Sequence, residues 1–189
     1  MILELQSFYL APIEEKDAWA LCNFMVTNED RLKRYLPQTL AQNLTPDLSH
    51  IFAVKKEKQY RETEVLLFLL KKKETNVLAG LIYIKNFDWE TKEAEFAYCI
   101  GYEFKGKGLI AKAVKELSSY VFTNLGLKSL IIITHKTNKA SVAVAEQNDF
   151  RWQKTLKNEF TPSGEKPVDM ELYRLYKETN SNENALHKN

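Results

Sequence analysis

The sequence lacks the features that mark secreted, metal-binding and membrane-spanning proteins. Only two of its 189 residues are cysteines, Cys22 and Cys99, and neither belongs to a CxxC motif or lies near a histidine pair. A disulfide framework and a zinc site are therefore not predicted. No basic stretch opens the N-terminus and no apolar run of about 18 residues follows it, which argues against secretion and membrane insertion. We expect a cytoplasmic protein without a bound metal.

An excess of charge of either sign is also missing. Lysine and arginine number 27 against 25 aspartates and glutamates, for a net charge of +2. This balance does not indicate nucleic acid or an acidic membrane as the main partner. Two lysine-rich runs, residues 55–58 and 71–73, have no interleaved aromatics and are interpreted as solvated. Nucleic-acid binding, which would depend steeply on salt, is disfavoured.

The composition that is present, 44% hydrophobic and 12% aromatic residues, is that of a folded globular protein. We expect a single domain over residues 1–177. The last residues, 178–189, read ETNSNENALHKN and are predicted to form a disordered tail.

Three helices are predicted in the N-terminal third of the chain. The first follows Pro12 and has an apolar face. The second covers residues 29–36, where Pro37 ends it. The third has Thr45 as its N-cap and spans residues 46–61.

Strand-like runs follow these helices. After a short strand candidate at the N-terminus, residues 8–11, three runs are separated by turn-sized gaps, and they cover residues 64–72, 77–87 and 93–100. The spacing predicts an antiparallel meander. In the third run, alternation places Glu95 and Cys99 on one face and Tyr98 and Ile100 on the other.

The clearest helix begins after Gly108 and has Gly126 as its C-cap. Residues 128–134 then form an almost wholly apolar strand, predicted to be covered on both faces and parallel to the run that ends at Ile100. A short helix and two further strands complete the predicted elements, at residues 139–148, 150–160 and 169–177.

The turn GYEFKGKG, residues 101–108, lies between a predicted strand and the clearest helix. Free backbone N–H groups and the positive helix end predict an anion site here. Lys105 and Lys107 add charge, while Gly106 and Gly108 allow close backbone approach. A triphosphate loop would need Ser or Thr in place of Gly108 to hold Mg²⁺, and a dinucleotide fingerprint fits only in a loosened form. The turn favours a diphosphate bound without an obligatory metal.

These residues resemble the GNAT superfamily of acetyl-CoA-dependent N-acyltransferases, whose motif Q/R-x-x-G-x-G/A binds the coenzyme A pyrophosphate through backbone amides. Here the motif is EFKGKG, with Glu103 in the first place, as is typical of the branch resembling RimJ/RimL ribosomal-protein N-terminal acetyltransferases. The lead-in EFAYCIGY from Glu95 resembles that branch's EIGYWI segment. NKASVAVAEQNDF, residues 138–150, resembles its N-x-x-S-x-x-x-x-E-x-x-G-F motif.

The resemblance implies an α+β, mixed α/β fold of the GNAT type. Its sheet is expected to be twisted and mostly antiparallel, with six or seven strands, flanking helices and one parallel strand–helix–strand unit. It also implies acetyl-CoA as co-substrate and no metal. A backbone N–H near Ile100, where family strands splay and bulge, is expected to meet the thioester carbonyl. The predicted coenzyme-binding residues are Ile100, Phe104, Lys105, Gly106, Lys107, Gly108, Leu109, Asn138 and Ser141.

Two residues are predicted to be catalytic. Glu95 is the candidate base, acting directly or through water, or else a strand carboxylate paired with a lysine. The resemblance places Ser141 near the thioester sulfur as a hydroxyl donor, because Ala145 stands where many members have a tyrosine that protonates the thiolate. The alternative for Ser141 is a helix-start serine, and Asn138 is interpreted as a pantetheine ligand, an N-cap or both. Asp149 replaces a glycine and is predicted to be left-handed.

Further residues are candidates for substrate binding. Tyr98 and Tyr173 are interpreted as core aromatics first and as pocket lining second. By resemblance, Asp169 on the last strand helps to receive a cationic substrate. His135 is interpreted as a surface residue. The segment of residues 36–60, which helps to shape the acceptor pocket, carries no readable code.

The resemblance implies an N-acetyltransferase acting on a primary amine. An α-amine, with a pKa near ~7.7–8.0, needs less help from a base than a lysine near ~10.4. The favoured acceptor is therefore a protein N-terminus, such as that of a ribosomal protein. Two alternatives stay open, namely a non-catalytic coenzyme-binding or regulatory module and an acetyltransferase for polyamines or aminoglycosides. Dimers are common in this branch, so a homodimer through the final hairpin is a further expectation.

Overall fold

The computed structural model describes residues 2–162 and 164–178. The tail predicted to be disordered, residues 178–189, lies outside this description except for Glu178. Over the described ranges, no helix combines the length and the apolar character needed to cross a bilayer.

Within residues 2–162 and 164–178, a single mixed sheet lies at the centre of the protein. Its eight strands are β1 (Leu3–Leu5), β2 (Phe8–Pro12), β3 (Leu66–Lys72), β4 (Leu78–Asp88), β5 (Glu93–Ile100), β6 (Ser129–Thr134), β7 (Arg151–Phe160) and β8 (Val168–Tyr176). Across the sheet their order is β1-β2-β3-β4-β5-β6-β8-β7. Only β5 and β6 pair in parallel, so the predicted mixed class is confirmed. The sheet exceeds the expected size because β1 folds back on β2 through Gln6, at φ 54°.

Six α-helices accompany the sheet over the described ranges. They are α1 (Ala18–Thr27), α2 (Glu29–Tyr35), α3 (Pro37–Ala41), α4 (Pro46–Arg61), α5 (Leu109–Asn124) and α6 (Lys139–Gln147). The predicted cap of α4 is confirmed, because Thr45 Oγ1 accepts the Leu48 N–H at 3.3 Å. Pro37 follows the end of α2 but also begins α3, which was not predicted. Proline fits a first helical position because its missing N–H would have no partner there.

Separate cores lie on the two faces of the sheet. Helices α1 to α4 supply one core, while α5 and α6 supply the other. The central strands β3 and β4 are buried on both faces, so neighbouring Phe68 and Leu69, both 0% exposed, belong to different cores. In β5 the predicted alternation is confirmed, because Cys99 packs against the first core and Tyr98 against the second.

Strands β5 and β6 separate towards their carboxyl ends. The last residues that they pair are Phe96 and Ile132. Beyond this point β5 continues to Ile100 beside β4, whereas β6 continues to Thr134 beside β8. The predicted splay is confirmed, and it leaves an opening that connects the two faces of the sheet.

The prediction of a bulge near Ile100 is wrong. The irregularity in the β4–β5 pairing lies at the far end of these strands, between Lys85 and Asp88, where Asn86 has φ 53°. The end of β5 therefore keeps regular strand geometry.

This regular geometry decides where the last amides of β5 point. The Gly101 N–H donates to the Ala79 carbonyl of β4 at 2.8 Å. Since alternate residues of a strand face opposite neighbours, the N–H groups of Tyr98 and Ile100 face the opening instead. The Ile100 carbonyl on the same side accepts a hydrogen bond from Arg31 Nη1 at 2.8 Å.

Candidate active site

A cavity of about 460 Å³, the first cavity, lies beside the glycine-rich turn. The end of β5, the turn, the first residues of α5 and parts of α2 and α6 form its wall. Its lining includes every residue predicted to bind the coenzyme, namely Ile100, Phe104, Lys105, Gly106, Lys107, Gly108, Leu109, Asn138 and Ser141. Their binding role stays a prediction, but the fold brings all of them together.

Two glycines of the turn have left-handed backbone conformations. Gly106 has φ 74° and Gly108 has φ 67°, and a Cβ built on either would meet no atom within 4 Å. Backbone conformation rather than lack of space therefore requires glycine at these positions. Gly108 is the N-cap of α5, and its carbonyl accepts the Lys112 N–H at 3.1 Å.

The start of α5 directs unpaired donors into the first cavity. The first N–H groups of a helix have no partner within it, and Leu109, Ile110 and Ala111 all line the cavity. Together with the positive end of this 16-residue helix, such donors are suited to an anion.

Lysines of the turn contribute further positive charge. Lys105 Nζ lies 5.7 Å from the centre of the Tyr102 ring, and Lys107 Nζ lies 5.5 Å from that of Phe104. Phe104 is itself held by an edge-on contact with Phe8, with ring centres 5.8 Å apart. A contact with an aromatic face does not neutralise an ammonium group, so both lysines add positive charge beside the turn.

A second cavity, of about 340 Å³, adjoins the first. The residues that line both are Tyr35, Leu36, Tyr98, Asn138 and Ser141. The second cavity also reaches Glu95 and Ala97, which point to the opposite face of the sheet from Tyr98. The two cavities therefore meet at the opening between β5 and β6.

Three polar residues meet at this junction. The Asn138 side chain accepts the Ser141 N–H at 3.3 Å and so caps α6. The Ser141 Oγ lies 2.8 Å from the Tyr98 hydroxyl. Burial raises the pKa of Tyr98 well above its ordinary value, so this phenol is protonated at neutral pH. The N-cap alternative for Asn138 is thus observed, while its coenzyme contact stays a prediction.

Glu95 lies in the wall of the second cavity and is 14% exposed. Its carboxylate pairs with Lys85 Nζ at 2.9 Å and accepts the Asn86 side-chain amide at 2.8 Å. The lysine pairing that was the alternative interpretation is therefore present. It does not remove Glu95 from the cavity, so the catalytic role stays a prediction.

Sequence reasoning missed a second carboxylate in this cavity, that of Glu159. Glu159 is exposed, and no side-chain partner for it occurs in the part of the chain that the structure describes. It reaches the cavity through an irregular stretch of β7 between Leu156 and Phe160, where Asn158 has φ 53°. Nothing in the local sequence KNEF marks this placement.

His135 also lines the second cavity rather than only the surface. Its Nδ1 accepts the Thr137 N–H at 3.3 Å and lies 2.7 Å from the Thr137 hydroxyl. The His135 ring therefore lies in the wall of the second cavity with Nδ1 turned towards Thr137.

Two predicted substrate-binding residues lie outside the linings of both cavities. Asp169 accepts hydrogen bonds from Lys157 Nζ at 2.7 Å and the Asn158 N–H at 3.0 Å. The lysine and the backbone N–H lower the pKa of Asp169. Tyr173, 8% exposed, packs in the core beneath α5 and α6. Of the predicted substrate-binding residues, the fold brings only Tyr98 to the cavities.

The end of α6 agrees with its predicted conformation. Asp149 is left-handed, with φ 61°, and lets the Phe150 N–H reach the Ala145 carbonyl at 3.0 Å. Ala145 itself is 0% exposed and belongs to the core. Across residues 2–162 and 164–178, no cluster of three or more metal-ligating side chains occurs.

Comparison with known proteins places this geometry in context. A family model described as "Acetyltransferase (GNAT) domain" matches residues 7–151. The chain is 30% identical over 146 residues to "Putative ribosomal N-acetyltransferase YdaF" of Bacillus subtilis (strain 168), covering 73% of this chain and 74% of that protein.

Two further matches differ in extent. Spermidine N(1)-acetyltransferase of Escherichia coli (strain K12) is 32% identical over 87 residues, which cover 46% of this chain and 47% of that enzyme. The solved structure of RimL, a ribosomal L7/L12 alpha-N-protein acetyltransferase in complex with coenzyme A, has a TM-score of 0.84 at 18% identity, with 93% and 98% of the two chains covered. The structural match reflects a shared fold.

Proposed function

We propose an acceptor for this chain, which belongs to the acetyltransferase (GNAT) domain family and is an N-acetyltransferase. The proposed acceptor is the α-amine of a protein N-terminus, such as that of a ribosomal protein. The observation that carries the proposal is the junction of two cavities of opposite charge at the opening between β5 and β6. A thioester reaching the opening from one side would meet an amine from the other.

The first cavity fits the donor, acetyl-CoA. Free amides at Gly108 and the start of α5, with Lys105 and Lys107 beside them, supply the donors and the positive charge that a diphosphate requires. These groups neutralise the anion without a metal ion. The pantetheine arm would then run along α6 towards Ser141, and the Ile100 N–H would donate to the thioester carbonyl.

Charge in the second cavity supports an acceptor with a single positive charge. Its charged lining residues are Glu95, Glu159 and Lys85, and Lys85 offsets Glu95 through their 2.9 Å ion pair. One carboxylate, Glu159, is left to attract a cation. This arrangement suits one α-ammonium better than a polyamine, which carries several charges along its length.

Glu95 is the proposed base in this scheme. An α-amine with a pKa near ~7.7–8.0 is partly neutral at cellular pH, so a carboxylate acting through water suffices to remove its proton during attack. Ser141 then donates a hydrogen bond to the sulfur as the C–S bond breaks. A thiol with a pKa near ~8.5 leaves readily with this help.

Coenzyme release with a panel of acceptors tests the proposal. Free thiol from acetyl-CoA would be measured with short peptides that have a free N-terminus, with the same peptides blocked at the N-terminus but containing lysine, and with spermidine and an aminoglycoside. We expect release only with free N-termini, and mass spectrometry should locate the acetyl group on the α-nitrogen.

Two other results would contradict the proposal. Faster release with spermidine or the aminoglycoside would establish the small-amine alternative, which the partial match to a spermidine acetyltransferase favours. Coenzyme A binding in calorimetry without thiol release from any acceptor would instead support a binding module.

A further inference from the structure

The hydroxyl groups at the cavity junction raise a question of direction. Ser141 has one hydroxyl proton, which can help a leaving sulfur only if it points into the first cavity. Ala145 supplies no hydroxyl and is fully buried. Ser141 and the tyrosines Tyr35 and Tyr98 are the hydroxyl-bearing residues shared by the two cavity linings.

Contacts of Tyr98 decide how the Ser141 proton is oriented. The Tyr98 oxygen lies 2.8 Å from Ser141 Oγ and 3.4 Å from the Ser141 carbonyl. No other hydrogen-bond acceptor for the Tyr98 phenol occurs within residues 2–162 and 164–178. A buried phenol that keeps its proton needs an acceptor, and the shorter of its two contacts is to Ser141 Oγ.

The Ser141 hydroxyl has one proton to donate and can also accept a hydrogen bond. If Ser141 Oγ accepts the Tyr98 proton, its own O–H is free to point away from Tyr98. Ser141 is held on the first turn of α6 by the Asn138 cap, and its Oγ has no second partner in the described part of the chain. Ser141 lines both cavities, so its free O–H can point into the first cavity, where the coenzyme sulfur would lie.

We propose that Tyr98 is a positioning residue that donates its hydroxyl proton to Ser141 Oγ as a hydrogen bond and so aims the Ser141 O–H at the coenzyme sulfur. This inference rests on the proposed function. No proton is transferred from Tyr98. The phenol stays intact while the Ser141 hydroxyl hydrogen-bonds the thiolate that forms when the C–S bond breaks and its electron pair remains on sulfur.

Burial and chain position support this role. Tyr98 lies in β5 two residues before Ile100, so its side chain is on the same face and close to the amide proposed to bind the carbonyl. Burial raises its pKa, which keeps the phenol a donor throughout the pH range in which an acetyltransferase works. The pair thus extends the polar site by one residue beyond Ser141.

The ionisation of bound coenzyme A tests the proposal without turnover. Thiolate formation in the complex can be followed by its ultraviolet absorbance during pH titration. We expect the thiol pKa in the wild-type complex to lie about 1–2 units below that of free coenzyme A, the effect of one hydrogen bond to a charged acceptor. Ser141→Ala should return the thiol pKa to the value of free coenzyme A. Tyr98→Phe should raise it most of the way back to that value.

Coupling between the residues separates positioning from a packing defect. The double variant should show no larger shift than Ser141→Ala alone, because Tyr98 acts only through Ser141. In steady-state assays Tyr98→Phe should lower kcat about 10-fold with little change in the KM for acetyl-CoA. Tyr83→Phe is the matched control, since Tyr83 is buried, contacts the Thr39 hydroxyl at 3.3 Å and lies outside both cavity linings.

Each outcome gives a decision. An unchanged thiol pKa in Tyr98→Phe, or additive shifts in the double variant, would overturn the role of Tyr98 even if the enzyme acetylates N-termini. A coupled shift in a protein that acetylates no amine would support the hydroxyl pair and contradict the proposed function. The thermal unfolding temperature of every variant would show whether a change in the thiol pKa or in kcat comes from a loss of folded protein.

Discussion

The two cavities differ in how they are built. In the first, charged lining residues are mainly cationic, with Arg31, Arg34, Lys105 and Lys107 against Asp30, and the central donors are backbone amides of one continuous turn. In the second, the excess charge is negative, and the side chains come from strands and loops far apart in sequence. Backbone recognition of the donor can be encoded in a few consecutive residues, whereas side-chain recognition of the acceptor cannot.

The largest expected effect concerns the backbone of the turn. Gly108→Val should weaken the affinity for acetyl-CoA by about 100-fold or more, beyond measurable binding. The reason is that a β-branched residue at φ 67° must distort the turn. Isothermal calorimetry would measure the affinity. Gly126→Val is the matched control, because Gly126 has φ 66° and equally open surroundings but lies at the far end of α5.

This control separates strain from recognition. Both glycine variants should lose similar thermal stability, yet only Gly108→Val should lose the coenzyme. Equal affinities in the two variants would contradict a backbone site at the turn, and with it the contrast between the cavities.

A smaller effect is expected at the carboxylates of the second cavity. Glu95→Gln should lower kcat about 100-fold, the lower range for loss of a general base. Glu159→Gln should mainly raise the KM for the peptide, by about 10-fold, because it removes an attracting charge but no base. Steady-state kinetics would distinguish them, and Glu116→Gln on α5, outside both linings, serves as the control.

The same kinetics would also detect the opposite roles for Glu95 and Glu159. If Glu159→Gln lowered kcat while Glu95→Gln only raised KM, Glu159 would be the base and the Lys85-paired Glu95 would serve the electrostatics. Neither variant should change acetyl-CoA affinity, because both residues lie outside the lining of the first cavity.

The smallest expected effect concerns an ion pair between α2 and the turn before β8. Arg34 donates to both carboxylate oxygens of Glu165, at 2.5 and 3.0 Å, and both side chains are close to half exposed. Because Arg34 lines the first cavity, Glu165→Gln should raise the KM for acetyl-CoA about two- to threefold at low salt, with the difference vanishing at high salt, since exposed pairs are weak and screened. Glu62→Gln, in an exposed pair with Lys58 at the end of α4, should have no such effect.

Several elements could be predicted because their signals are local. The start of α4 at Thr45 and Pro46, the bounds of β5 and the left-handed Asp149 depend on residues that are adjacent in the chain. Where prediction failed, distant pairing decided the result. β1 needed β2 to become a strand, and the irregularity in the β4–β5 pairing lies between Lys85 and Asp88 rather than near Ile100.

The candidate site divides in the same way. The coenzyme residues were predicted as a set because the turn and the start of α6 form short motifs. Glu159 and His135 were missed as cavity residues, and Asp169 and Tyr173 were placed in a pocket whose linings do not include them. Neither outcome could follow from sequence spacing, because strands β6, β7 and β8 pair out of chain order.

By itself, the sequence determined the antiparallel meander, the parallel strand–helix–strand unit and the glycine-rich turn, since hydrophobic period and glycine conformation act over a few residues. Only the tertiary structure decided that the Tyr98 hydroxyl contacts Ser141 Oγ, that Lys85 forms an ion pair with Glu95 and that Glu159 lines the second cavity. These contacts depend on strand register and on the opening between β5 and β6, which are set by the packing of the whole sheet.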